Sequence, residues 1–480
     1  MNSAGVRHPL NSRDWLYLGL VLLVILSIAY LLPVDPNDYW WYMRIGRETL
    51  KTGAVPVVDS LSYTQSGQPV IYHSWLSAVL LAKIFQLGGI SLTVLVRGAA
   101  IALAYVLIFI VARNSGAGTV VTSLVTLLAS LTTSNNWTVR PQMFTYFLFA
   151  GVLWILYDWQ KGGKKSIWLL PFINLLWVNL HGSFVIAIIL VAAALLFGTG
   201  KKKDLAIAFG LSLLATLVNP RGLEAWRYVG MSLTAISNQQ YSMEWSPPLN
   251  LGWQMHLFFG WVLLFIPLVA TSQRKLSRLE WVWLMVFGWL AFSGQRYVIW
   301  LIFIISILTA CLLAELGSRK QVKPGKPANK ILNILMGSLL IVMPIALLPG
   351  IRFAWWSNAP ETLTDTPVQA TTWLSGHPEL PGPLWSEIGF SSYLEFALPA
   401  RPVWNDTRFE VYPSAQWELY KIISEAGWNW QATLDKESIN LLMISRKNQP
   451  DLMQAVLASP QWVQLYEDDV TVIFKRSGMP

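Results

Sequence analysis

The sequence predicts a polytopic α-helical membrane protein with about 11 spans and a C-terminal α/β domain on the side away from the cytoplasm. Two features of the composition indicate the membrane class: 54% of the residues are hydrophobic and only 13% are charged. A soluble globular chain carries about 25% charged residues, and long apolar runs need lipid around them. The 26 Trp residues agree with this class, because Trp concentrates at membrane–water interfaces.

The predicted spans are apolar runs of roughly 20 residues or somewhat fewer. They cover residues 15–34, 90–112, 117–134, 142–159, 167–179, 183–199, 205–219, 251–271, 279–293, 297–316 and 331–350. The first run lacks a small-residue cleavage site, so it is predicted to stay as a transmembrane helix. Segment 74–88 is apolar but short and carries Lys83, which favours an interfacial or re-entrant helix that feeds the second span. Arg97 lies inside that second span and is predicted to face the bundle interior or to reach the interface.

Clusters of basic residues recur in alternate loops between these spans, and this alternation predicts the orientation. Arg44, Arg47 and Lys51 in the first outer loop count against it, but nearby carboxylates offset their charge. The basic set holds Arg7, Arg13, Arg113, Lys161, Lys164, Lys165, Lys201, Lys202, Lys203, Arg274, Lys275, Arg278, Arg319, Lys320, Lys323, Lys326 and Lys330. The other set covers residues 35–72, 135–141, 180–182, 220–250 and 294–296. Because basic loops stay inside, an odd number of spans puts the N-terminus inside and residues 351–480 outside. The expected location is the plasma (inner) membrane.

The composition changes at about residue 351, which divides the chain into a transmembrane domain (1–350, with a first outer loop at 35–74) and a soluble domain (351–480). The second part holds nine basic and fifteen acidic residues, although the whole chain has a net charge of +9. Strands are predicted at 384–388, 402–405 and 439–444, helices at 391–398, 414–426 and 451–458, and a closing hairpin at 462–466 and 471–474. This alternation favours a small extracytoplasmic α/β domain. The stretch 405–408 is interpreted as an ordinary loop ion pair.

Cysteine and histidine usage limits the chemistry. Cys311 is the single cysteine, which excludes an intrachain disulfide and a cysteine-based metal site. The five His residues have no metal-ligand spacing, so no metal site and no cofactor are predicted. The basic residues lie between apolar runs and indicate topology, so no nucleic-acid partner is expected.

Two carboxylates, Asp35 and Asp38, follow the first span directly. The segment 36–50 is predicted to be a short helix that ends before Gly53. In a structural interpretation, Asp35 caps this helix, Pro36 takes the first helical position, and Asp38 takes the capping-box position. In a functional interpretation, one carboxylate is a general base at the membrane surface, since ionisable groups at such boundaries are often functional. The two roles are compatible.

Three arginines lie at predicted outer span ends, where basic residues are unexpected. Arg140, Arg221 and Arg296 each stand beside Pro, Gly or Gln. A single outer Arg is readily explained by snorkelling. Three of them indicate a shared task, and Arg binds phosphate with two parallel hydrogen bonds. We therefore predict that at least one of them binds a lipid phosphate.

Four further polar residues are candidates for substrate binding at the outer side. Asn179 and His181 could hydrogen-bond a sugar, or they could only satisfy a bent helix end beside Gly182. His73 is structural or contacts an anionic head group. Glu244 begins a rigid polar stretch, and its side chain could be a second carboxylate over the site.

The pattern resembles the GT-C superfamily of membrane glycosyltransferases, which includes protein mannosyltransferases, aminoarabinose transferases and oligosaccharyltransferase catalytic subunits. The resemblance rests on Asp35 and Asp38 after the first span, the long outer loop with its helix, Arg140-Pro141, the polar outer span ends, and the C-terminal domain. A Lys-Pro-Pro-type motif is missing after the first loop, where His73-Ser74-Trp75-Leu76 stands instead. This departure puts the expected contact to the donor phosphate in question.

The resemblance implies a glycosyltransferase that uses a polyprenyl-phosphate sugar donor on the outer side of the membrane. Asp35 or Asp38 would accept the proton of the acceptor hydroxyl, and Arg140, Arg221 or Arg296 would offset the charge of the leaving phosphate. The implied product is inverted at the anomeric carbon, and the metal requirement of the family varies, which leaves a divalent cation open. A transporter or lipid flippase, with charges and repeats in its spans, is one alternative. A non-catalytic membrane assembly protein is the other.

Overall fold

The structure, a computed structural model, describes residues 10–317, 330–348, 363, 365–380 and 382–478. Predictions for Arg7, for the basic residues at 319–326 and for the boundary near 351 lie outside these ranges. The α-helices in chain order are α1 (Ser12–Leu31), α2 (Asp38–Thr52), α3 (Trp75–Asn114), α4 (Thr119–Thr132), α5 (Met143–Gln160), α6 (Leu170–Leu180), α7 (Val185–Phe197), α8 (Lys202–Ala215), α9 (Glu224–Thr234), α10 (Ile236–Tyr241), α11 (Trp253–Thr271), α12 (Arg278–Ser293), α13 (Val298–Gly317), α14 (Lys330–Leu347), α15 (Val368–Ser375), α16 (Ile388–Ala397), α17 (Ser414–Ser424), α18 (Trp430–Lys436) and α19 (Pro450–Leu457). The strands are β1 (Leu384–Ser386), β2 (Leu441–Ser445), β3 (Trp462–Glu467) and β4 (Thr471–Arg476).

Several helices have the length and apolar character to cross a membrane. Within the described ranges these are α1, α3, α11, the helical segment Gln295–Glu315 that contains α13, and α14. Shorter apolar helices cover Thr119–Thr132, Ser166–Leu180 and Gly182–Phe197. Each segment that the sequence analysis predicts as a span contains a helix, because hydropathy is a strong signal over runs of this length.

Helix α3 is broken at Gly88 and Gly89. Gly89 has a φ of 58° and a ψ of −151°, a backbone conformation that residues with a Cβ rarely adopt. The break separates residues 75–87 from 90–114, as the sequence predicts for a short helix that feeds the second span. The same position divides two compact units of the chain. The helical unit comprises the described residues of Met1–Leu32, Gly88–Ala225 and Met243–Ser357, and the mixed unit those of Pro33–Leu87, Trp226–Ser242 and Asn358–Pro480.

The core of the helical unit is α13. It packs against α4, α11 and α12, and nearly all its side chains from Val298 to Leu312 are buried. Around it, α5 packs against α6 and α7, α6 against α8, and α1 against α4 and α14. A helix that is apolar all round fits such a position, since it can bury every face.

Four of the predicted basic loops meet at one end of the helical unit. Near the start of α1, Asp14 accepts a hydrogen bond of 2.7 Å from Arg113 at the end of α3. Lys161 donates to the main-chain carbonyl group that follows Arg113, at 2.6 Å. The indole of Trp159 donates to the carbonyl oxygen of Lys201, at 3.0 Å. These loops therefore share one end of the bundle, which a common cytoplasmic location requires.

The mixed unit contains a four-stranded sheet in the order β1-β2-β4-β3. β1 runs parallel to β2, and β4 runs antiparallel to both β2 and β3. Alternate residues of β2 face opposite sides: Leu442 and Ile444 belong to one buried core, and Leu441 and Met443 to the other. Helices α17, α18 and α19 contribute to the first core and α15 and α16 to the second. Helices thus cover both faces of the sheet.

The predicted elements of this part are largely present. The strands near 384 and 441, the helices near 391, 414 and 451, and the closing hairpin all occur. The strand predicted at 402–405 is wrong, because Val403 makes only an isolated bridge, with Ser62 of the first loop. Pro402 has no N–H to donate to a sheet. Helices α15 and α18 were not predicted.

Candidate functional site

The segment with Asp35 and Asp38 is not capped as the sequence predicts. α2 begins at Asp38, and its N-cap is Asn37, which has no side-chain capping hydrogen bond. The prediction that Asp35 caps the helix, with Pro36 at the first helical position and Asp38 in a capping box, is therefore wrong. The helix ends at Gly53 with a φ of 74°, as expected. The functional interpretation of the two carboxylates stays a prediction.

The start of α2 is held by the C-terminal part of the mixed unit. A Cβ on Gly389, in the first turn of α16, would overlap the carbonyl oxygen of Pro36, so only glycine allows this approach. One turn into α2, the indole of Trp41 donates to Thr407 Oγ1 at 3.2 Å. Both contacts fix the main chain on either side of Asp38.

We call Asp38, His73, Tyr228 and Glu410 the Asp38 cluster, since three of them are in contact and the charge of Asp38 acts on Glu410. Tyr228 donates a hydrogen bond of 2.7 Å to Glu410 Oε1. The ring of Tyr228 stacks on His73, with 3.9 Å between the ring centroids. The surrounding protein and the negative charge of Asp38 raise the pKa of Glu410, against the effect of the Tyr228 hydrogen bond.

Asp35 has a neighbour of opposite charge. Lys447 donates to Asp365 Oδ2 at 2.6 Å, and this bond, with a further contribution from the charge of Asp35, raises the pKa of Lys447.

Behind this cluster lies a buried ionic network around Arg408. Its guanidinium donates to Asp59 at 2.6 Å and to Asp406 at 2.5–3.0 Å through two nitrogens. The hydroxyl groups of Tyr72 and Tyr412 complete its hydrogen bonds, at 2.9 and 3.3 Å. All five side chains are buried. We call them the Arg408 network; it joins the first loop to the segment that carries Glu410.

A third acid, Glu395, lies against this network. Burial and the charge of Asp406 raise the pKa of Glu395 well above its usual value. Burial by itself would raise the pKa of Asp406, but the charge of Arg408 and the hydrogen bonds with Arg408, Glu395 and Tyr412 together lower it. Of the two acids, Glu395 therefore holds its proton more strongly. The interpretation of 405–408 as an ordinary loop ion pair was wrong, since the pair is buried and reaches Asp59.

In the helical unit, Glu244 lies between two of the predicted arginines. Arg140 forms an ion pair with Glu244. The main-chain N–H of Arg296 donates to the Glu244 carbonyl oxygen at 3.0 Å, and its guanidinium lies 4.4 Å from the Trp245 ring centre. Although desolvation opposes it, the charges of Arg140 and Arg296 lower the pKa of Glu244. This group, the Arg140–Arg296 cluster, has two cations for one anion.

The other predicted site residues of the helical unit have local partners. Arg221 forms an ion pair with Glu224 at 3.3 Å. Asn179 donates to two main-chain carbonyl groups at 2.8 and 2.9 Å. A hydrogen bond of 2.8 Å joins His181 Nδ1 to Ser183 Oγ, where α6 ends. These bonds match the structural interpretation of the bent helix end, and sugar contacts by Asn179 and His181 stay a prediction.

Arg97, the charge inside α3, lies in the bundle interior. Its guanidinium donates to the carbonyl oxygens of Ala29 and Leu32 at the end of α1, at 2.5 and 2.6 Å. These oxygens have no partner further along α1, because a helix leaves its last carbonyl groups unpaired. Arg97 therefore caps a helix, which explains an intramembrane charge without a transport pathway.

Sequence reasoning missed most of these groupings. Tyr228 had no signal in the sequence, and Glu410 stands only two residues beyond the stretch 405–408. Among the described residues, no group of three or more His, Cys, Asp and Glu side chains is arranged to hold a metal ion.

No family model and no curated protein matches the sequence. Solved structures do match it over nearly its whole length. The chain superposes on ArnT from Cupriavidus metallidurans with a TM-score of 0.54 at 14% identity, covering 95% of this chain and 96% of ArnT. It also matches the archaeal oligosaccharyltransferase AglB from Archaeoglobus fulgidus, solved with an inhibitory peptide and a dolichol-phosphate. That TM-score is 0.54 at 10% identity, with 96% and 75% of the two chains covered.

The chain has the GT-C fold. A third structure agrees: the arabinofuranosyltransferase AftD from Mycobacteria, with a TM-score of 0.57 at 14% identity. This match covers 98% of the present chain but 40% of AftD. The apolar helices and these membrane-protein neighbours identify a multi-pass membrane protein. The GT-C resemblance inferred from the sequence is thereby confirmed at the level of the fold.

Proposed function

We propose that this GT-C-fold chain is a glycosyltransferase that moves a sugar from a polyprenyl-phosphate donor to an acceptor at the outer face of the membrane. The observation that carries the proposal is the likeness, over 96% of the chain, to AglB, which was solved with a dolichol-phosphate. In this proposal the Asp38 cluster provides the carboxylate that accepts the proton of the acceptor hydroxyl. The Arg140–Arg296 cluster provides the cations that bind the donor phosphate.

Asp38 is the proposed general base. The acceptor hydroxyl oxygen attacks the anomeric carbon of the donor, and its proton passes to the Asp38 carboxylate. The bond between the anomeric carbon and the phosphate oxygen breaks in the same displacement, so the product is inverted. A rigid main chain around Asp38 helps, because a misplaced base loses much of its effect. Gly389 and Trp41 provide this rigidity.

The Arg140–Arg296 cluster is proposed to bind the lipid phosphate. The phosphate leaves with an additional negative charge, and fixed cations stabilise such a charge as it develops. Glu244 balances one of the two guanidiniums, so one positive charge remains for the ligand. Arg221 is less suited, because Glu224 already offsets its charge.

We further propose the orientation that the basic loops indicate, with the N-terminus inside and the C-terminal domain outside the cytoplasm. The proposal includes about 11 spans in the plasma (inner) membrane, because an odd number of spans puts the two ends of the chain on opposite sides. The proposal is supported by the contacts that bring Arg113, Lys161 and Lys201 to one end of the helical unit. Labelling from outside should reach the segment around Asp38 and should not reach Lys201.

Purified protein with radiolabelled polyprenyl-phosphate sugars tests the function directly. We expect label to leave the donor lipid and enter acceptor material for at least one sugar of a donor panel. No turnover across the panel would favour a transporter or an assembly protein. We propose transfer without a resident cofactor, so activity should persist in EDTA. A loss that Mg²⁺ or Mn²⁺ restores would instead assign a divalent cation to the reaction.

The phosphate proposal predicts the effect of Arg296→Gln. Since a hydrogen bond to a charged group contributes about 1.5–3 kcal/mol, the KM for the donor should rise roughly 10- to 100-fold. Steady-state kinetics with varied donor measure this effect. Arg221→Gln is the matched control and should change KM less than about 3-fold, since its charge is already offset. Equal effects of both variants would contradict the assignment.

A further inference from the structure

We propose that Trp245 is a positioning residue that holds the guanidinium of Arg296 in place for the phosphate of the lipid donor. The proposal rests on the proposed function, in which the Arg140–Arg296 cluster binds that phosphate. It assigns a role to an aromatic side chain that the reaction scheme does not otherwise use. Trp245 acts through Arg296, so it needs no contact with the reacting atoms.

The Trp245 ring and the Arg296 side chain are in direct contact. The guanidinium carbon lies over the Trp245 ring, 4.4 Å from its centre, and 6.0 Å from the centre of the Tyr297 ring. Aromatic faces attract cations within about 6 Å, and the attraction is strongest for Trp. Tyr297 supports the tryptophan from the side, since the two rings meet at 87° with 6.3 Å between their centres. Trp245 is thus the nearer of two rings that limit the motion of Arg296.

Two main-chain hydrogen bonds hold Trp245 beside Arg296. The N–H of Arg296 donates to the carbonyl oxygen of Glu244 at 3.0 Å, and the N–H of the residue before Arg296 donates to that of Ser246 at 2.9 Å. A Cβ on Gly294 would lie only 3.2 Å from the Trp245 carbonyl oxygen, so glycine permits this close approach. The contact between the two side chains is therefore built on a main chain that is fixed on both sides.

A positioned guanidinium binds phosphate more tightly because less conformational freedom is lost on binding. A long arginine side chain populates many rotamers, and ordering it around an anion costs free energy. The Trp245 ring orders Arg296 before the phosphate arrives, which reduces that cost. The N–H groups in the plane of the guanidinium can then form two parallel hydrogen bonds with the phosphate. Removing the ring should raise the KM for the donor more than it lowers kcat.

Trp245→Leu tests the proposal in the steady-state kinetics of sugar transfer. We expect the KM for the donor to rise about 3- to 10-fold. Trp245→Phe keeps a ring and should raise the KM less. Trp253→Leu removes an exposed tryptophan of the same unit and is the control, which should leave the KM unchanged. A wild-type KM in Trp245→Leu would overturn the proposal, as would equal effects of the leucine and phenylalanine variants.

A double variant distinguishes positioning through Arg296 from a separate structural role. Once Arg296→Gln has removed the positioned group, adding Trp245→Leu should raise the KM no further, because the two residues act as a unit. Independent effects would multiply in the double variant, and this result would also overturn the proposal. The same cycle with Trp245→Phe gives a second reading from a smaller change in the side chain.

A binding measurement does not depend on turnover. The purified protein is titrated with undecaprenyl phosphate and, as the uncharged control ligand, with undecaprenol. We expect Trp245→Leu to weaken binding of the phosphate about 3- to 10-fold and to leave binding of the alcohol unchanged. A wild-type protein without transfer would refute the proposed function, whereas equal affinities of wild type and Trp245→Leu for undecaprenyl phosphate would refute the role of Trp245.

Discussion

Asp38→Asn is expected to reduce sugar transfer by about 10²- to 10⁴-fold, the contribution of a positioned general base. Asparagine keeps the size and hydrogen-bonding capacity of the side chain but cannot accept the proton. The helix should remain, because its N-cap is Asn37 and its contacts run through Pro36 and Trp41. Rates of label transfer, with protein level and thermal stability measured in parallel, check the prediction.

Asp35→Asn is the matched control for this prediction. It removes the same charge three residues earlier, on a carboxylate whose charge contributes to the raised pKa of Lys447. We expect less than about a 10-fold loss, as for a surface charge outside the chemical step. If Asp35→Asn abolished transfer and Asp38→Asn did not, the assignment of the base would be reversed. If neither changed the rate, the catalytic proposal would fail.

The second large effect is expected for Arg408→Met, which should destabilise the protein by about 3–5 kcal/mol. Removing this guanidinium leaves Asp59 and Asp406 as buried carboxylates without their cation. The loss should appear as a lower melting temperature and a lower level of folded protein. Arg446→Met removes a partly exposed ion pair with Glu467 and should cost at most about 1 kcal/mol.

A triple variant separates buried charge from packing in that result. Combining Arg408→Met with Asp59→Asn and Asp406→Asn removes the unpaired anions as well. Stability should then recover in part, because an uncompensated buried charge is the costliest component. If the triple variant were less stable than Arg408→Met alone, shape and hydrogen bonding would outweigh charge in the Arg408 network.

The sequence predicted the parts of this protein whose signals are local. Hydropathy located the helices of the bundle, and the separate short segment 74–88 agrees with the break that the structure shows at Gly88 and Gly89 of α3. The hairpin of β3 and β4 followed from short runs with turn residues between them. By contrast, residues 402–405 look extended in sequence, but their partner lies in the first loop, which local patterning does not reveal.

The groupings around the candidate site were beyond sequence reasoning for the same reason. Arg408 and Asp59 are 349 positions apart, and no local rule connects them. The carboxylates at 35 and 38 stood out because they follow a span directly, yet their neighbours Lys447 and Glu410 distinguish them only in three dimensions. Arg140, Glu244 and Arg296 were each singled out, but their ion pairing became visible only in the structure.

The mixed unit draws on three separate stretches of the polypeptide, Pro33–Leu87, Trp226–Ser242 and Asn358–Pro480. During synthesis the stretch with Asp38 emerges early, whereas Gly389, Thr407 and Arg408 emerge only near the end. Contacts of such long sequence separation form late and slowly. A nascent chain should therefore lack the completed mixed unit until its last quarter has been synthesised, and premature termination should yield an inert protein.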